Sequence, residues 1–132
     1  MRKLVVLTLV VFVAALVFAQ TKAEPKYEKS AEVTLKGTIE EVKEVPGTCC
    51  TEKCIHLMFK TDKGVVEVQV APDAFLKEME ITFAKGDKLE IVAAKVEVHG
   101  TEMYLAREIN KSGDVVVVRD NQGGPVWNWK KG

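Results

Sequence analysis

The ten residues Cys49-Cys50-Thr51-Glu52-Lys53-Cys54-Ile55-His56-Leu57-Met58 hold every cysteine of the chain together with an imidazole and a thioether. Thiolate with imidazole suits Zn(II) or copper, and thiolate with thioether suits Cu(I). A soft-metal site built from Cys49, Cys50, Cys54 and His56 is therefore one chemistry open to this stretch. Its spacing, C-C-x3-C-x-H, is not that of a zinc knuckle or ribbon. The other chemistry is oxidative: Cys49 or Cys50 can close a small ring with Cys54, Cys50 and Cys54 being the disulfide candidates. A bond between the neighbours Cys49 and Cys50 would need a strained ring. Either pairing with Cys54 leaves one thiol for a second chain or a redox partner. His56 taken alone reads as a surface histidine.

No catalytic constellation accompanies this cluster. Ser30 and Ser112 sit in polar linker or turn settings, and His56 and His99 have no partner at a spacing that would make a nucleophile and base. Glu40, Glu41, Glu44, Glu78 and Glu80 read as solvated faces. The expectation is a protein that is not an enzyme, has no catalytic residue, and carries no cofactor unless the cluster takes Cu or Zn.

The compartment decides between thiol chemistries. Arg2 and Lys3 precede an apolar run from Leu4 to Ala19 broken only by Thr8, and Val17-Phe18-Ala19 gives signal peptidase its small residues before Gln20. The run is short of the ~20 residues that cross a bilayer as a helix, so cleavage is expected rather than a retained span. Export to a periplasm or beyond the cell favours the disulfide. Loss of residues 1–19 leaves 17 basic against 19 acidic side chains, a net charge of −2 that attracts no polyanion in general. The remaining length suits one domain.

These residues must be positioned by strands. Residues 20–30 are polar with one proline and read as a flexible lead-in, Tyr27 beginning the packing. Val33, Leu35, Gly37 and Ile39 alternate with Thr34, Lys36, Thr38 and Glu40, the period of a half-buried strand. The phase then slips to Val42, which calls for a bulge or a coil, with Gly37 suited to a bend. Ile55, Leu57 and Phe59, a turn at Asp62-Lys63-Gly64, and Val66, Val68 and Val70 form a hairpin. This alternation puts His56 and Met58 on the face opposite the core. Pro72 and Asp73 open a helical segment over 74–80. Leu89 to Val98, with a phase change before Val96, Met103 to Ile109 and Val115 to Val118 complete the strands. A long bent first strand, with a short helix between strands three and four, is the element order of the OB-fold, a five- to six-stranded Greek-key barrel. The expected division is 1–19 signal, 20–30 lead-in, 31–127 barrel and 128–132 tail.

The phrases Gly86-Asp87-Lys88-Leu89-Glu90-Ile91, Tyr104-Leu105-Ala106-Arg107-Glu108-Ile109, and Val118-Arg119-Asp120 through Gly124-Pro125-Val126-Trp127 resemble small exported bacterial OB-fold proteins grouped with the C-terminal domain of the magnetosome proteins MamS and MamX. The resemblance covers roughly residues 32–127 and implies a fold, most such proteins having no assigned activity. The cysteine loop is outside its pattern. Some OB-folds bind single-stranded nucleic acid through a basic groove with stacking aromatics. The outward residues of strands two and three, His56, Met58, Lys60, Glu67 and Gln69, include no such ring, so nucleic acid is not the expected ligand. A protein partner or a small ligand is. Trp127 is expected to pack over an open barrel end; Trp129, followed by Lys130 and Lys131, reads either as part of a disordered terminus or as an exposed anchor for a partner or a membrane surface, with Met58 the other candidate partner-binding residue.

Overall fold

A computed structural model describes residues 26–46 and 53–127. The expected signal segment, the lead-in up to residue 25, Cys49 and Cys50, and the tail from residue 128 lie outside the described residues. The described residues form six strands, β1 (Glu32–Pro46), β2 (Lys53–Thr61), β3 (Gly64–Pro72), β4 (Lys88–Val98), β5 (Thr101–Lys111) and β6 (Asp114–Val117), with one short helix, α1 (Asp73–Glu78), inserted between β3 and β4. A short 3₁₀ turn, Lys29–Ala31, leads into β1. The sheet runs β3-β2-β1-β4-β5-β6 with antiparallel neighbours, and β3 also pairs in parallel with β5, Val68 opposite Tyr104 and Gln69 opposite Leu105.

The long first strand serves two neighbours. Its first half, Glu32–Thr38, pairs with β4, and Gly37–Pro46 pairs with β2. The slip of phase falls at Glu40, which is the extra residue between the Ile39/Phe59 and Glu41/Met58 pairs. Gly37 is needed one turn of the pleat earlier and for another reason. A Cβ there would stand 2.0 Å from the carbonyl oxygen of Lys60, because three strands converge where β1 passes from one partner to the other.

Ile39, Leu57, Phe59, Val68, Leu76, Ile91, Ile109, Val118 and Trp127 belong to the main core. In β4 the core face holds Leu89, Ile91 and Ala93, whereas Ala94 and Val96 face the other way into a second cluster with Tyr27, Met103 and Leu105. The change of phase in β4 is therefore no bulge in that strand. The strand buries both of its faces. Packing begins at Tyr27, within the stretch read from sequence as a lead-in.

The extra residue of this region is in β5. Val92 pairs with Glu108 and Ala93 with Ala106, so Arg107 is the unpaired bulge residue, and its side chain is 8% exposed together with its backbone. A buried cation costs several kcal/mol unless it is paired and hydrogen-bonded. Arg107 donates from Nε to Glu32 Oε2 at 2.7 Å, from Nη2 to Glu32 Oε1 at 3.3 Å and from Nη1 to Asn121 at 3.2 Å, and Nη1 is 2.7 Å from Glu108 Oε2. The Tyr27 hydroxyl donates to the same Glu32 carboxylate. The Arg107 carbonyl accepts from the amides of Val118 and Arg119 at 2.9 and 3.2 Å. Arg119 in turn places its guanidinium over the rings of Tyr27 and Trp127, 5.9 and 5.3 Å from their centroids. Gly123, with φ of +86°, lies against Tyr27 so closely that a Cβ would stand 2.5 Å from the ring. The first and last described segments are thus clasped around one arginine.

The guanidinium holds the Glu32 carboxyl at about 2, well below its ordinary 4.5, and burial followed by the same carboxylate pushes the Tyr27 phenol up. A carboxyl with a depressed folded-state value stabilises fully above its unfolded value and loses that contribution as pH falls through the folded one. The unfolding free energy from urea titration should accordingly drop as pH falls from about 4.5 to about 2, by on the order of 2 kcal/mol in the wild type. Glu32→Gln should lose roughly 2–4 kcal/mol at neutral pH and flatten that acid limb. Gly37→Ala should cost roughly 2–4 kcal/mol in the same titration, since backbone must move to admit the methyl group.

Candidate functional site

Strand β2 carries the chemistry-bearing residues in alternation with the core. Ile55, Leu57 and Phe59 point into the main cluster, so Cys54, His56 and Met58 lie on the opposite face, as the alternation requires. That face is not open at its start. Cys54 is 0% and His56 1% exposed, while Met58 is half-buried. The reading of His56 as a surface histidine is thus corrected: it projects away from the main core and is still enclosed.

Register explains the enclosure. His56 pairs with Gln69, Gln69 with Leu105 and Leu105 with Ala94, so these four share one row across β2, β3, β5 and β4. All four are buried. The second cluster therefore continues sideways from its apolar centre at Leu105 and Ala94 to a polar end at Gln69 and His56. Val70, the extra residue between the Ile55/Ala71 and His56/Gln69 pairs, produces the offset that lets the adjacent Val70 and Ala71 both join Val68 in the main core.

His56 Nδ1 is 2.6 Å from Glu67 Oε2. A carboxylate only accepts, so Nδ1–H donates and the basic position of the ring is Nε2. Glu67 is opposite Met58 in the register and so sits diagonally across from His56 on the same face. A carboxylate that fixes the tautomer of a histidine is the usual outer support of a metal-binding imidazole, and equally a way to satisfy a buried one. Sequence inspection placed Glu67 among outward polar residues. It did not single out the pairing with His56, which depends on the β2/β3 register.

Cys54 pairs with Val45 of β1 and Pro72 of β3. The 47–52 connection joins Pro46 to Lys53, which are themselves a register pair, so the connection begins and ends beside Cys54. Cys49 and Cys50 lie within it, outside the described residues, as does Trp129. Among the described residues no group of three or more His, Cys, Asp and Glu could hold a metal ion. Two of the four proposed ligands are thus placed on one face of one strand, two residues apart.

A second group of polar residues meets only through the fold. Arg107, Glu32 and Tyr27 come from segments up to 80 positions apart in the chain. The one local signal was an arginine beside a glutamate inside an otherwise alternating strand, which is what a bulge leaves behind. Their carboxylate, guanidinium and hydroxyl are satisfied by each other and by Asn121 and Glu108, an arrangement that fixes structure. Among the described residues no helix is long and apolar enough to cross a membrane.

No curated protein matches the chain. The family model described as the MamS/MamX magnetosome protein family matches residues 31–116, from the turn before β1 into β6. With well over half of its length so matched, the chain belongs to the MamS/MamX magnetosome protein family.

Proposed function

We propose that the chain is an exported, non-enzymatic OB-fold module that works by binding a protein partner or a small ligand. The observation that carries the fold part of this reading is the cycle of strand pairings. β1 joins β2 and β4, β2 joins β3, β4 joins β5, and β5 returns to β3, with α1 between β3 and β4. A closed cycle with that insertion is the connectivity of a small Greek-key barrel of the OB type. Support for binding over catalysis comes from how the titratable groups are used. Arg107, Glu32, Asp87 and Lys111 are occupied in ion pairs that hold segments together. Cleavage after Ala19 and delivery to a periplasm or the outside belong to the same proposal.

In that compartment the proposed state of the cysteine cluster is a disulfide from Cys54 to Cys50 or Cys49, leaving one thiol. What supports it is the full burial of Cys54, its sulfur being bonded rather than titratable, and the shortness of the connection that carries the other two cysteines. A second reading, a Cu or Zn site or a thiol-redox centre using the same residues, is favoured by one observation, the imidazole of His56 held through Nδ1 by Glu67 at 2.6 Å.

Purification of the exported form without chelators, with N-terminal sequencing, a thiol titration and elemental analysis, separates the readings. The leading one expects Gln20 as first residue, roughly one free thiol per chain and no bound Cu or Zn. Roughly one equivalent of metal, lost in Cys54→Ser and weakened about 10- to 100-fold in Glu67→Gln, would replace it with the second. For the binding role itself, cross-linking in the exporting compartment should yield a stoichiometric partner or a ligand that raises the melting temperature of the purified chain. Neither appearing would sink it.

A further inference from the structure

Among the described residues every strand except β6 has at least two strand neighbours, whereas β6 pairs with β5 alone. The connection between β5 and β6 fixes which backbone groups of β6 that pairing uses. Ser112 and Gly113 both have positive φ, 54° and 92°, as a two-residue type I′ turn requires. The pair flanking such a turn, Lys111 and Asp114, exchanges hydrogen bonds, and Val116 opposite Ile109 does the same. Val115 and Val117, opposite Asn110 and Glu108, then turn their N–H and C=O groups away from β5. Nothing among the described residues takes those groups up. The returning segment reaches the strand only past its end, where the Val126 amide donates to the Val118 carbonyl.

Natural edge strands are blunted by lysine, proline or a bulge. Strand β6 contains neither lysine nor proline and pairs with β5 without a shift of register. Its Asp114 is followed by three valines, of which Val115 and Val117 are 56% and 45% exposed. Asp114 and Val116, on the strand's other face, line a cavity of about 240 Å³ with an apolar floor completed by Ile81, Phe83 and Ile109, and with Glu80 at its rim. The cation of that lining, Lys111, is engaged, 3.0 Å from Asp87 Oδ2 and donating to the Thr82 carbonyl at 2.8 Å. Glu80 and Asp114 are exposed and have no ion pair among the described residues. The edge therefore combines open main-chain groups with an apolar hollow and uncompensated negative charge.

We propose that the outer edge of β6 binds an extended segment of a partner protein as an added antiparallel strand, with an apolar side chain against Val116 and a lysine or arginine against Asp114 and Glu80. The proposal rests on the reading of the chain as a binding module and names the chemistry of the partner. Val115 and Val117 each exchange two main-chain hydrogen bonds with the residue opposite, which supplies affinity for almost any extended sequence. Selection comes from the cavity side. Side chains of the added strand alternate between faces, so the residue meeting Asp114 follows the one meeting Val116 by two positions, and the pattern selected is apolar-x-basic.

The test adds the capped peptide Thr-Val-Thr-Val-Thr-Lys-Thr to the intact chain and follows amide shifts and hydrogen exchange. Without peptide, the Val115 and Val117 amides should exchange fast and the Val116 amide slowly. Saturating peptide should shift residues 80–83 and 114–117 most and slow exchange at Val115 and Val117 about tenfold or more. Glutamate in place of the peptide's lysine should weaken binding about five- to tenfold at low salt, a difference that shrinks at high salt. Glu80→Lys combined with Asp114→Lys should reverse that preference, and Val117→Pro, which removes an outward donor, should abolish binding and keep the β5 pairing. Slow exchange of Val115 and Val117 in the free chain, shifts centred on another face, or equal affinity for the two peptides would overturn the proposal. So would a dimer joined through β6, which makes the occupant a second copy. Should a variant not fold, the exchange rates and the two peptides on the wild-type chain decide. A stoichiometric partner cross-linked to another face would remove this site and leave the binding-module reading standing, whereas the absence of any partner or ligand would remove both.

Discussion

A single buried cation sets the terms for much of this small domain. Arg107 is forced inward by a bulge and cannot be left there alone, because desolvating a guanidinium without partners costs more than a domain of this size can supply. The adjacent Glu108 answers part of its charge, and the rest comes from farther along the chain, from Glu32 at the start of β1 and Asn121 after β6, while the amides of Val118 and Arg119 meet its carbonyl. The bulge, the turn before β1 and the C-terminal loop are therefore one structural unit. Loosening any of them exposes the charge that the others were arranged to meet.

The same bulge explains how a chain of modest length obtains two apolar clusters. A sheet folded back on itself needs only one buried face, and the reverse side is normally wet. Here the reverse side of β4 and β5 presents Ala94, Val96, Met103 and Leu105, and Tyr27 covers them. The row then runs through Gln69 to His56, so that the cysteine-bearing strand is enclosed from behind as well as in front. The match to the MamS/MamX family, over residues 31–116, spans this framework from the turn before β1 into β6.

The strands were legible in the sequence because period-two alternation survives wherever one face is buried, as in Ile55-Leu57-Phe59 and Leu89-Ile91-Ala93. The slip after Ile39 could be read for the same reason, and it is resolved by the bulge at Glu40. What could not be read depends on register between strands distant in sequence. His56 looked like a surface residue because alternation says which face a side chain takes and not whether that face is covered. Gly37 looked like a bend, whereas its physical need is the carbonyl of Lys60 close by. The burial of Arg107 depends on Glu32, 75 residues away, and the break in alternation beside Glu108 marks a bulge without naming that partner. For the candidate site, the identities of Cys54 and His56 were evident, but the support from Glu67 required the hairpin to be paired first.

The clasp of Tyr27, Arg119 and Trp127 also has a consequence for how the domain is carried. Both ends of the described chain leave from one small patch, Tyr27 and Trp127 lying on the same guanidinium. Whatever is attached at either end, whether a fusion partner or a longer chain, would grip the molecule by the same handle. A domain with its ends so close can also be spliced into a loop of another protein, or reopened elsewhere and rejoined through a short link, without disturbing its strand order.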